Sequence, residues 1–413
     1  MTLPIIVIGA GICGVSTAIW LQRSGHQVIL MDKGQPGMGT SFGNAGLLAP
    51  WAVDPVSSPR LWSQIPYYLT NPNSPLFLQW NYFPKLLPWL IKFLSNATDS
   101  QTRRIVAGLA PILHDSVDQH KELVRGTSAE KWVVDSKFSY AYPSQTAFKA
   151  DAYSWKMKAS AGLTPNIISG HAVQEEEPIL GSAIQCLAVL EGLGHITNPG
   201  QYVKELAQYF VDNGGRFIQA DVKNLHRRQD RISEVQTDQG SFRCGSAVIT
   251  AGIWSKELMI KLGLKIPLVA ERGYHVIFEN PSEVPRNPMV ITNGKFGVNP
   301  MEMGLRCAGI VELGDHHAAA SNTPLRVLRK HAKAVFPNLK FTDTQEWMGF
   351  RPTTPDSTPL IGELGNSGIF TGFGHQHIGI TAGPKTGRLI AELINGQTPD
   401  IDMSPYNPER YVI

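Results

Sequence analysis

The hydrophobic and polar positions of the first 32 residues predict a strand, a turn, a helix and a second strand. Residues 4–8 are an apolar run rich in β-branched side chains, residues 15–25 read as a helix, and residues 27–31 are a second apolar run. Short runs of this composition are typical of buried strands. The chain therefore starts with a β-α-β unit.

The same reading predicts further elements along the chain. Helices are predicted over 101–125, 151–161, 199–213 and 379–395. Strands are predicted within 216–251, with turns at 228–231 and 238–240 and a last strand at 245–250, within 269–313, with turns at 280–281 and 293–294, and at 369–371. Apolar alternation bounded by turn residues is the basis of each strand.

Composition limits the class of protein. A chain of 413 residues exceeds the roughly 250–300 at which one core usually divides, so we expect two domains. The net charge of +3 argues against a nucleic-acid partner. The scattered Cys13, Cys186, Cys244 and Cys307 predict neither a disulfide framework nor a metal site. Because the first strand starts at residue 4, and no apolar run reaches the roughly 18 residues of a membrane span, we expect no signal peptide and a cytoplasmic location.

A glycine pattern follows the first strand directly. Gly9, Gly11 and Gly14 form the G-x-G-x-x-G spacing, and Asp32 ends the second strand about twenty residues later, as in dinucleotide-binding folds. Gly9 permits the turn, Gly11 lets the backbone approach a pyrophosphate, and Gly14 lets the helix pack on the strand. An α/β start without a ligand is the alternative. The predicted contacts to an ADP-containing dinucleotide are Gly9, Gly11, Ile12, Gly14, Asp32 and Lys33.

Four later segments appear with this start in a fixed order. They are Thr-Ser-Phe-Gly-Asn-Ala-Gly at 40–46, Ala-Val-Ile-Thr-Ala-Gly-Ile-Trp-Ser at 247–255, Gly-Phe-Arg-Pro-Thr-Thr-Pro-Asp at 349–356 and Gly-Phe-Gly-His-Gln-His-Ile-Gly at 372–379. Together they resemble the D-amino-acid oxidase and dehydrogenase superfamily of flavoproteins. The first segment is most similar to bacterial D-amino-acid dehydrogenases, and the last is closer to glycine oxidase.

The resemblance implies an α/β fold (α+β overall) with a Rossmann-like parallel-sheet FAD domain and a substrate domain with a mixed or antiparallel sheet. The predicted FAD-binding domain is discontinuous and takes 1–50, 195–255 and 355–413, and the substrate domain takes 51–194 and 256–354. No cysteine matches the site of covalent flavin attachment in sarcosine oxidase, so FAD is predicted to be non-covalent.

A flavin enzyme needs contacts to the ring as well as to ADP. Small residues in 40–46 can bring backbone N–H groups near flavin N5, and the start of the last helix can stabilise negative charge on the reduced ring. Ordinary loops, a surface strand at Val222 and a structural His375 are the alternatives. The resemblance and these arguments select Ser41, Asn44, Ala45, Gly46, Leu47, Val222, Ala251, Gly252, Trp254, Gly374, His375, Gly379, Ile380 and Thr381.

The resemblance places Arg351 on the substrate carboxylate, which a guanidinium can bind through two hydrogen bonds. A structural pair with an acid such as Asp356 is the alternative. Tyr274 could add a phenolic hydrogen bond or simply pack in the core. His377 is the candidate general base, or a structural histidine. Residues 296–300 depart from the pattern that glycine oxidase uses for its carboxylate-binding tyrosine, which puts that substrate in doubt.

The implied reaction is oxidative deamination of a D-amino acid by hydride transfer from Cα to flavin N5, giving an imine and then a keto acid. Oxidation of a secondary amine or imino acid (D-hydroxyproline, sarcosine or glycine type), or a subunit that needs a partner, are the alternatives. Residues 76–94, rich in Trp, Phe and Leu with Lys85 and Lys92, suit a peripheral membrane contact on the cytoplasmic face, or else a core helix pair. Together with the dehydrogenase-like segment at 41–46, a membrane contact would favour a quinone over O2 as the electron acceptor, and this is the prediction.

Overall fold

The structure, a computed structural model that describes residues 3–411, contains three β-sheets and the helices that cover them. The strands are β1 (Ile5–Ile8), β2 (Val28–Asp32), β3 (Leu47–Leu48), β4 (Leu76–Leu78), β5 (Val133–Tyr142), β6 (Asn166–Ser169), β7 (Cys186–Ile196), β8 (Arg216–Gln219), β9 (Val222–Arg228), β10 (Arg231–Thr237), β11 (Gly240–Arg243), β12 (Ser246–Ile249), β13 (Val269–Phe278), β14 (Met289–Ile291), β15 (Phe296–Met301), β16 (Gly304–Leu313), β17 (Thr344–Thr353), β18 (Leu360–Glu363) and β19 (Ile369–Phe373). The α-helices are α1 (Ile12–Arg23), α2 (Leu61–Thr70), α3 (Phe83–Ser95), α4 (Asp99–Leu113), α5 (Ser116–Val124), α6 (Gln145–Ala150), α7 (Ala152–Ser160), α8 (Ala172–Glu176), α9 (Pro199–Asp212), α10 (Ser255–Lys261), α11 (Asn322–Val335) and α12 (Gly379–Ile394).

The first sheet has the strand order β18-β19-β12-β1-β2-β8. It is parallel except at one edge, where β18 runs antiparallel to β19. In its centre Ile5 of β1 lies opposite Val28 on one side and Ser246 on the other. All four residues of β1 are buried, as parallel strands covered on both faces must be. The predicted Rossmann-like parallel sheet is confirmed.

Helices α1 and α12 pack against each other beside this sheet. Gly387 of α12 approaches the backbone of α1 so closely that a Cβ would stand 2.6 Å from main-chain atoms of both Ser16 and Thr17. A larger residue would separate the helices, because buried backbone cannot move aside at low cost. This contact holds the last helix on the N-terminal β-α-β unit.

The second sheet is mixed and has ten strands. Eight follow the order β17-β13-β16-β15-β14-β5-β7-β3, while β4 pairs with β16 and β6 pairs with β7. Two pairs, β5 with β14 and β4 with β16, are parallel and the rest are antiparallel. Strand β13 is buried along its whole length. The prediction of a second sheet that is mixed is confirmed.

The third sheet joins β9, β10 and β11 by two antiparallel hairpins. The first turn places Gln229 and Asp230 at φ of 52° and 62°, which tight hairpins require at both central positions. Both turns lie where the sequence pattern predicts them.

The predicted single helix over 101–125 is wrong, because α4 and α5 are separate. Lys385 of α12 explains the break. Its Nζ donates to the carbonyl of Pro111 at 2.8 Å and to the carboxylate of Asp115 at 2.9 Å. In a continuous helix the carbonyl of Pro111 would accept from the N–H of Asp115, and not from Lys385. The sequence pattern also did not reveal β5, β7, β17 or α11.

Residues 51–100 form the helix pair α2 and α3 with β4 between them. On α3, Leu86, Trp89 and Phe93 are buried, and the rings of Trp89 and Phe93 stack at 4.9 Å. None of the described helices combines the length and apolar character needed to cross a bilayer. The inward-facing Trp89 agrees with the core-helix alternative for this segment.

The division into two domains stays a prediction. The strands of the first sheet lie within 1–50, 195–255 and 355–413. Those of the second sheet lie within the remaining segments, except that β3 falls before residue 50 and β7 runs on to Ile196.

Candidate active site

A cleft of about 600 Å³ opens where β1, β2 and β12 end. The carboxyl ends of parallel strands meet there, which is where such sheets bind ligands. Gly9 makes the turn out of β1 at φ +108°. The cleft is lined by the predicted residues Gly9, Gly11, Ile12, Asp32, Lys33, Ser41, Asn44, Val222, Ala251, Gly252, Trp254, His375, Gly379 and Ile380.

The structure separates the roles of the two later glycines of the motif. A Cβ on Gly14 would stand 1.8 Å from the carbonyl oxygen of Gly9, so Gly14 serves the packing of α1 and does not line the cleft. A Cβ on Gly11 would meet only the hydroxyl of Ser41, at 3.4 Å. Gly11 therefore keeps space open in the cleft without being needed for the fold.

Asp32 ends β2 with both carboxylate oxygens bonded to backbone. Oδ2 accepts from the N–H of Ala10 at 2.7 Å, and Oδ1 accepts from the N–H of Gly34 at 2.8 Å. Burial raises the pKa of Asp32, and these two N–H donors oppose that shift. Each oxygen keeps a lone pair for a further donor, so a ribose diol can bind beside them. Lys33 and Trp254 also line the cleft, with Lys33 Nζ 3.9 Å from the ring centre of Trp254.

The remaining predicted cofactor residues lie behind or beyond this cleft. Thr381 Oγ1 donates to the carbonyl of Leu47 at 3.1 Å and accepts from the N–H of Ala49 at 3.2 Å. Gly46 lies directly beside the carbonyl oxygen of Ile196, and Gly374 lies beside the side chain of Thr354. Ala45 and Leu47 line a second cavity.

This second cavity has a volume of about 990 Å³. Thr40, Asn44 and Gln376 line both spaces, so the cavity meets the cleft at these residues. Gln376 is buried and holds a left-handed φ of 46°. Such strain in a residue other than glycine is found where a site needs a fixed backbone. The junction of cleft and cavity is therefore the place where a cofactor and a substrate can touch.

The loop 40–46 at this junction is held by side chains of the second sheet, which the sequence analysis missed. Arg306 Nη1 donates to the carbonyls of Phe42 at 3.0 Å and Asn44 at 2.6 Å. Asn299 Nδ2 donates to the carbonyl of Ala45 at 2.9 Å. Burial lowers the pKa of Arg306 to about 9. Buried donors that hold carbonyls fix the path of the loop, because leaving them unpaired is costly.

Arg351 lies on β17 and lines the second cavity. Its neighbour across the strand pair is Glu271 of β13. The guanidinium crosses Gly273, where a Cβ would stand 2.6 Å from Cζ. Glu271 is buried on the same wall. Burial raises the pKa of Glu271, and the charge of Arg351 partly offsets this. Arg351 thus presents a cation to the cavity, one residue before Pro352, which lines the cleft and accepts from the N–H of the shared residue Gln376 at 3.1 Å.

The alternative partner for Arg351 is engaged elsewhere. Asp356 accepts from Nε and Nη2 of Arg410, at 2.8 and 3.1 Å. Burial raises the pKa of Asp356, but the charge and the two hydrogen bonds of Arg410 outweigh this and hold the pKa below its usual value. Asp356 is therefore not the partner of Arg351, and the acid that lies beside Arg351 is Glu271.

The two histidines of the last motif differ. His375 is buried, with Nε2 2.9 Å from Thr386 Oγ1 and Nδ1 3.7 Å from Cys13 Sγ, and burial lowers its pKa to about 4. His377 faces the second cavity. Enclosure by the protein and the charge of Arg351 lower the pKa of His377 to about 4. Both shifts favour the neutral imidazole, and of the two histidines His377 is the one that lines the cavity.

Tyr274 borders the cavity, but its hydroxyl belongs to a buried network. It donates to Glu312 Oε2 at 2.6 Å and accepts from the N–H of Ser321 at 3.2 Å. Arg272, which is fully buried, pairs with the same carboxylate at 2.7 Å. These bonds use the hydroxyl within the protein, so the geometry gives no support to the predicted substrate contact. Packing, the alternative, describes Tyr274 as it stands.

One group of possible metal ligands occurs among the described residues. Asp315, His316 and His317 bring one ligand atom each to within 4.8 Å of one another. They follow one another in sequence and are partly or fully exposed.

Comparisons with known proteins agree with this geometry. The model of a family described as FAD dependent oxidoreductase matches residues 4–393. The chain is 35% identical to a D-amino-acid oxidase of Bradyrhizobium diazoefficiens, over 99% of both chains. It is 26% identical to a D-amino acid dehydrogenase of Paramagnetospirillum magneticum, again over 99% of both.

Among solved structures, glycine oxidase from Geobacillus kaustophilus is similar with a TM-score of 0.76 and 20% identity, over 100% of both chains. At this identity the likeness shows the fold alone. The resemblance read from the motifs is confirmed. The chain belongs to the FAD dependent oxidoreductase family.

Proposed function

We propose that this chain oxidises the α-amine of a D-amino acid to an imine, which water converts to a keto acid and ammonia. The observation that carries the proposal is the position of Arg351, a cation on the cavity wall close to the opening into the cleft. A guanidinium there can fix an α-carboxylate and so present the adjoining Cα toward the junction. The names of the relatives, D-amino-acid oxidase and dehydrogenase, support the same substrate class.

The described residues fit FAD. The N-terminus of α1 and the space kept by Gly11 suit a pyrophosphate, Asp32 suits a ribose, and the junction at Asn44 and Gln376 leaves room for the ring. When bound, FAD would accept the hydride that the substrate loses, and with it both electrons of the oxidation.

The chain's own groups prepare the substrate. Arg351 orients the carboxylate, and the apolar cavity favours the neutral amine that the oxidation needs. His377, with a pKa of about 4, is a weak base and suits a hydrogen bond to the amine better than removal of its proton. Glu271, buried on the same wall with a raised pKa, is the stronger candidate to receive a proton.

An anaerobic screen tests the proposal. D-amino acids, their L-enantiomers, glycine, sarcosine and imino acids are mixed with the holoenzyme, and loss of flavin absorbance is followed. We expect D-amino acids to reduce the flavin most rapidly. Faster reduction by sarcosine or an imino acid would support the secondary-amine alternative. No reduction by any of these compounds would favour the subunit that needs a partner.

We further propose that a quinone takes the electrons at a membrane surface. The cavity wall is largely apolar on one side, where α2 and α3 contribute Leu61, Ile65, Leu86, Trp89, Leu90, Phe93 and Leu94. The same part of the chain exposes large apolar side chains to solvent, namely Trp62, Tyr67, Trp80, Leu87 and Ile91. Lys85 and Lys92 of α3 are also exposed. Apolar and cationic groups together favour the surface of an anionic bilayer.

Vesicle flotation tests this surface. The double variant Leu87→Asp with Ile91→Asp should lose binding to anionic vesicles, and Val211→Asp on α9, also at an exposed apolar residue, should not. Substrate-dependent quinone reduction should exceed peroxide formation. Rapid stoichiometric peroxide in air, without vesicle binding by the unmodified protein, would contradict the proposal and favour an oxidase.

A further inference from the structure

A group of charged side chains lies along the part of the cavity wall that does not also line the cleft. Asp54 and Arg60 line the wall. Behind them, Arg60 forms an ion pair with Asp151, and Asp54 lies 3.8 Å from Nζ of Lys158. Tyr142 also donates to Asp151 at 2.6 Å. Two anions are thus matched by two cations, as buried charges must be.

Lys295 is a fifth charge in this group. It lines the cavity, its side chain is exposed to that space, and its backbone holds a left-handed φ of 51°. Its Nζ forms no ion pair and no hydrogen bond with another of the described residues, unlike the four charges above. Its enclosure lowers its pKa, which the charges of Asp151 and Asp54 only partly offset. The local charge is therefore one cation in excess.

The spacing of strands relates Lys295 to Arg351. Lys295 directly precedes β15, and β16 separates β15 from β13. The guanidinium of Arg351 lies over Gly273 of β13. Two strand spacings, roughly 9–10 Å, thus separate the two positions at the level of the backbone. Two carboxylates on one short carbon chain can bridge this gap when an ion-pair distance is added at each end.

We propose that Lys295 binds an anionic group on the substrate side chain, so that the preferred substrates are acidic amino acids. The proposal rests on the proposed function, in which Arg351 binds the α-carboxylate. A substrate with a second carboxylate supplies the charge that the wall around Lys295 lacks. A cationic side chain would meet Asp54, but the charge of that carboxylate is already matched by Lys158.

Steady-state kinetics of the holoenzyme test the proposal with D-glutamate, D-aspartate, their amides D-glutamine and D-asparagine, and D-lysine. We expect kcat/KM for the acids to exceed that for the amides by about tenfold or more. Lys295→Met should lower kcat/KM for the acids, mainly through KM, to about the level of the amides. Lys295→Arg should retain it. Lys333→Met, at an exposed lysine of α11 outside the cavity, is the matched control.

A binding titration separates failure of this proposal from failure of the proposed function. Glutarate and butyrate are added to the holoenzyme, and the flavin spectrum is followed without turnover. Tighter binding of glutarate, lost in Lys295→Met, supports the anion site even if no amino acid reduces the flavin. Equal use of acids and amides, a preference for D-lysine, or a glutarate affinity that Lys295→Met does not change would each overturn the proposal.

Discussion

Replacement of Arg351 is the most direct test of how the cavity orients its substrate. In Arg351→Met the carboxylate loses its cation while the rest of the wall, including the buried Glu271, remains. Removing one partner of a buried charge pair costs about 2–5 kcal/mol. At 1.36 kcal/mol per factor of ten, kcat/KM should fall roughly 30- to 5000-fold. Arg351→Lys keeps the charge but loses the planar fork, so it should fall between Met and the unmodified protein.

The assay is the rate of flavin reduction measured anaerobically against substrate concentration. FAD content should stay normal, because Arg351 does not line the dinucleotide cleft. Arg326→Met, at an exposed position of α11, serves as the control for loss of a surface arginine. If Arg351→Met retained its kcat/KM with full FAD content, the carboxylate role and the orientation derived from it would be refuted.

Two further predictions follow from the fold around the cofactor cleft. Gly11→Val should fold normally yet fail to bind FAD. Gly14→Val should not fold, because its Cβ would meet the carbonyl of Gly9. Unchanged FAD binding by soluble Gly11→Val would contradict this prediction. Burial lowers the pKa of His120 and His375 to about 4, so between pH 6.5 and 4 the unfolded chain binds more protons. This contribution to the free energy of unfolding should be fully present above pH 6.5 and should fall on acidification by up to about 1.4 kcal/mol per pH unit for each histidine. A melting temperature that stays constant from pH 7 to 5 would contradict this reasoning.

The sequence by itself determined the features that depend on neighbouring residues. The β-α-β start, the glycine turn at Gly9 and the acid at the end of β2 are local, because a strand, its turn and the following helix are set by residues close in the chain. The hairpin turns of the third sheet are local for the same reason. Motif order was enough to identify the family and to single out Arg351.

Tertiary structure decided which side chains meet. Three findings depend on contacts between residues far apart in sequence. Asp356 binds Arg410, Tyr274 belongs to the network of Glu312, and Lys385 separates two helices.

The excess cation at Lys295 has the same origin. Lys295 is in excess because the ion pairs Arg60–Asp151 and Lys158–Asp54 already match the two neighbouring anions. Periodicity shows which face of a strand is buried, but it does not show which strand lies beside it. Pairing of strands and satisfaction of buried charge are properties of the whole packed molecule, and they decide which polar groups remain free to bind a ligand.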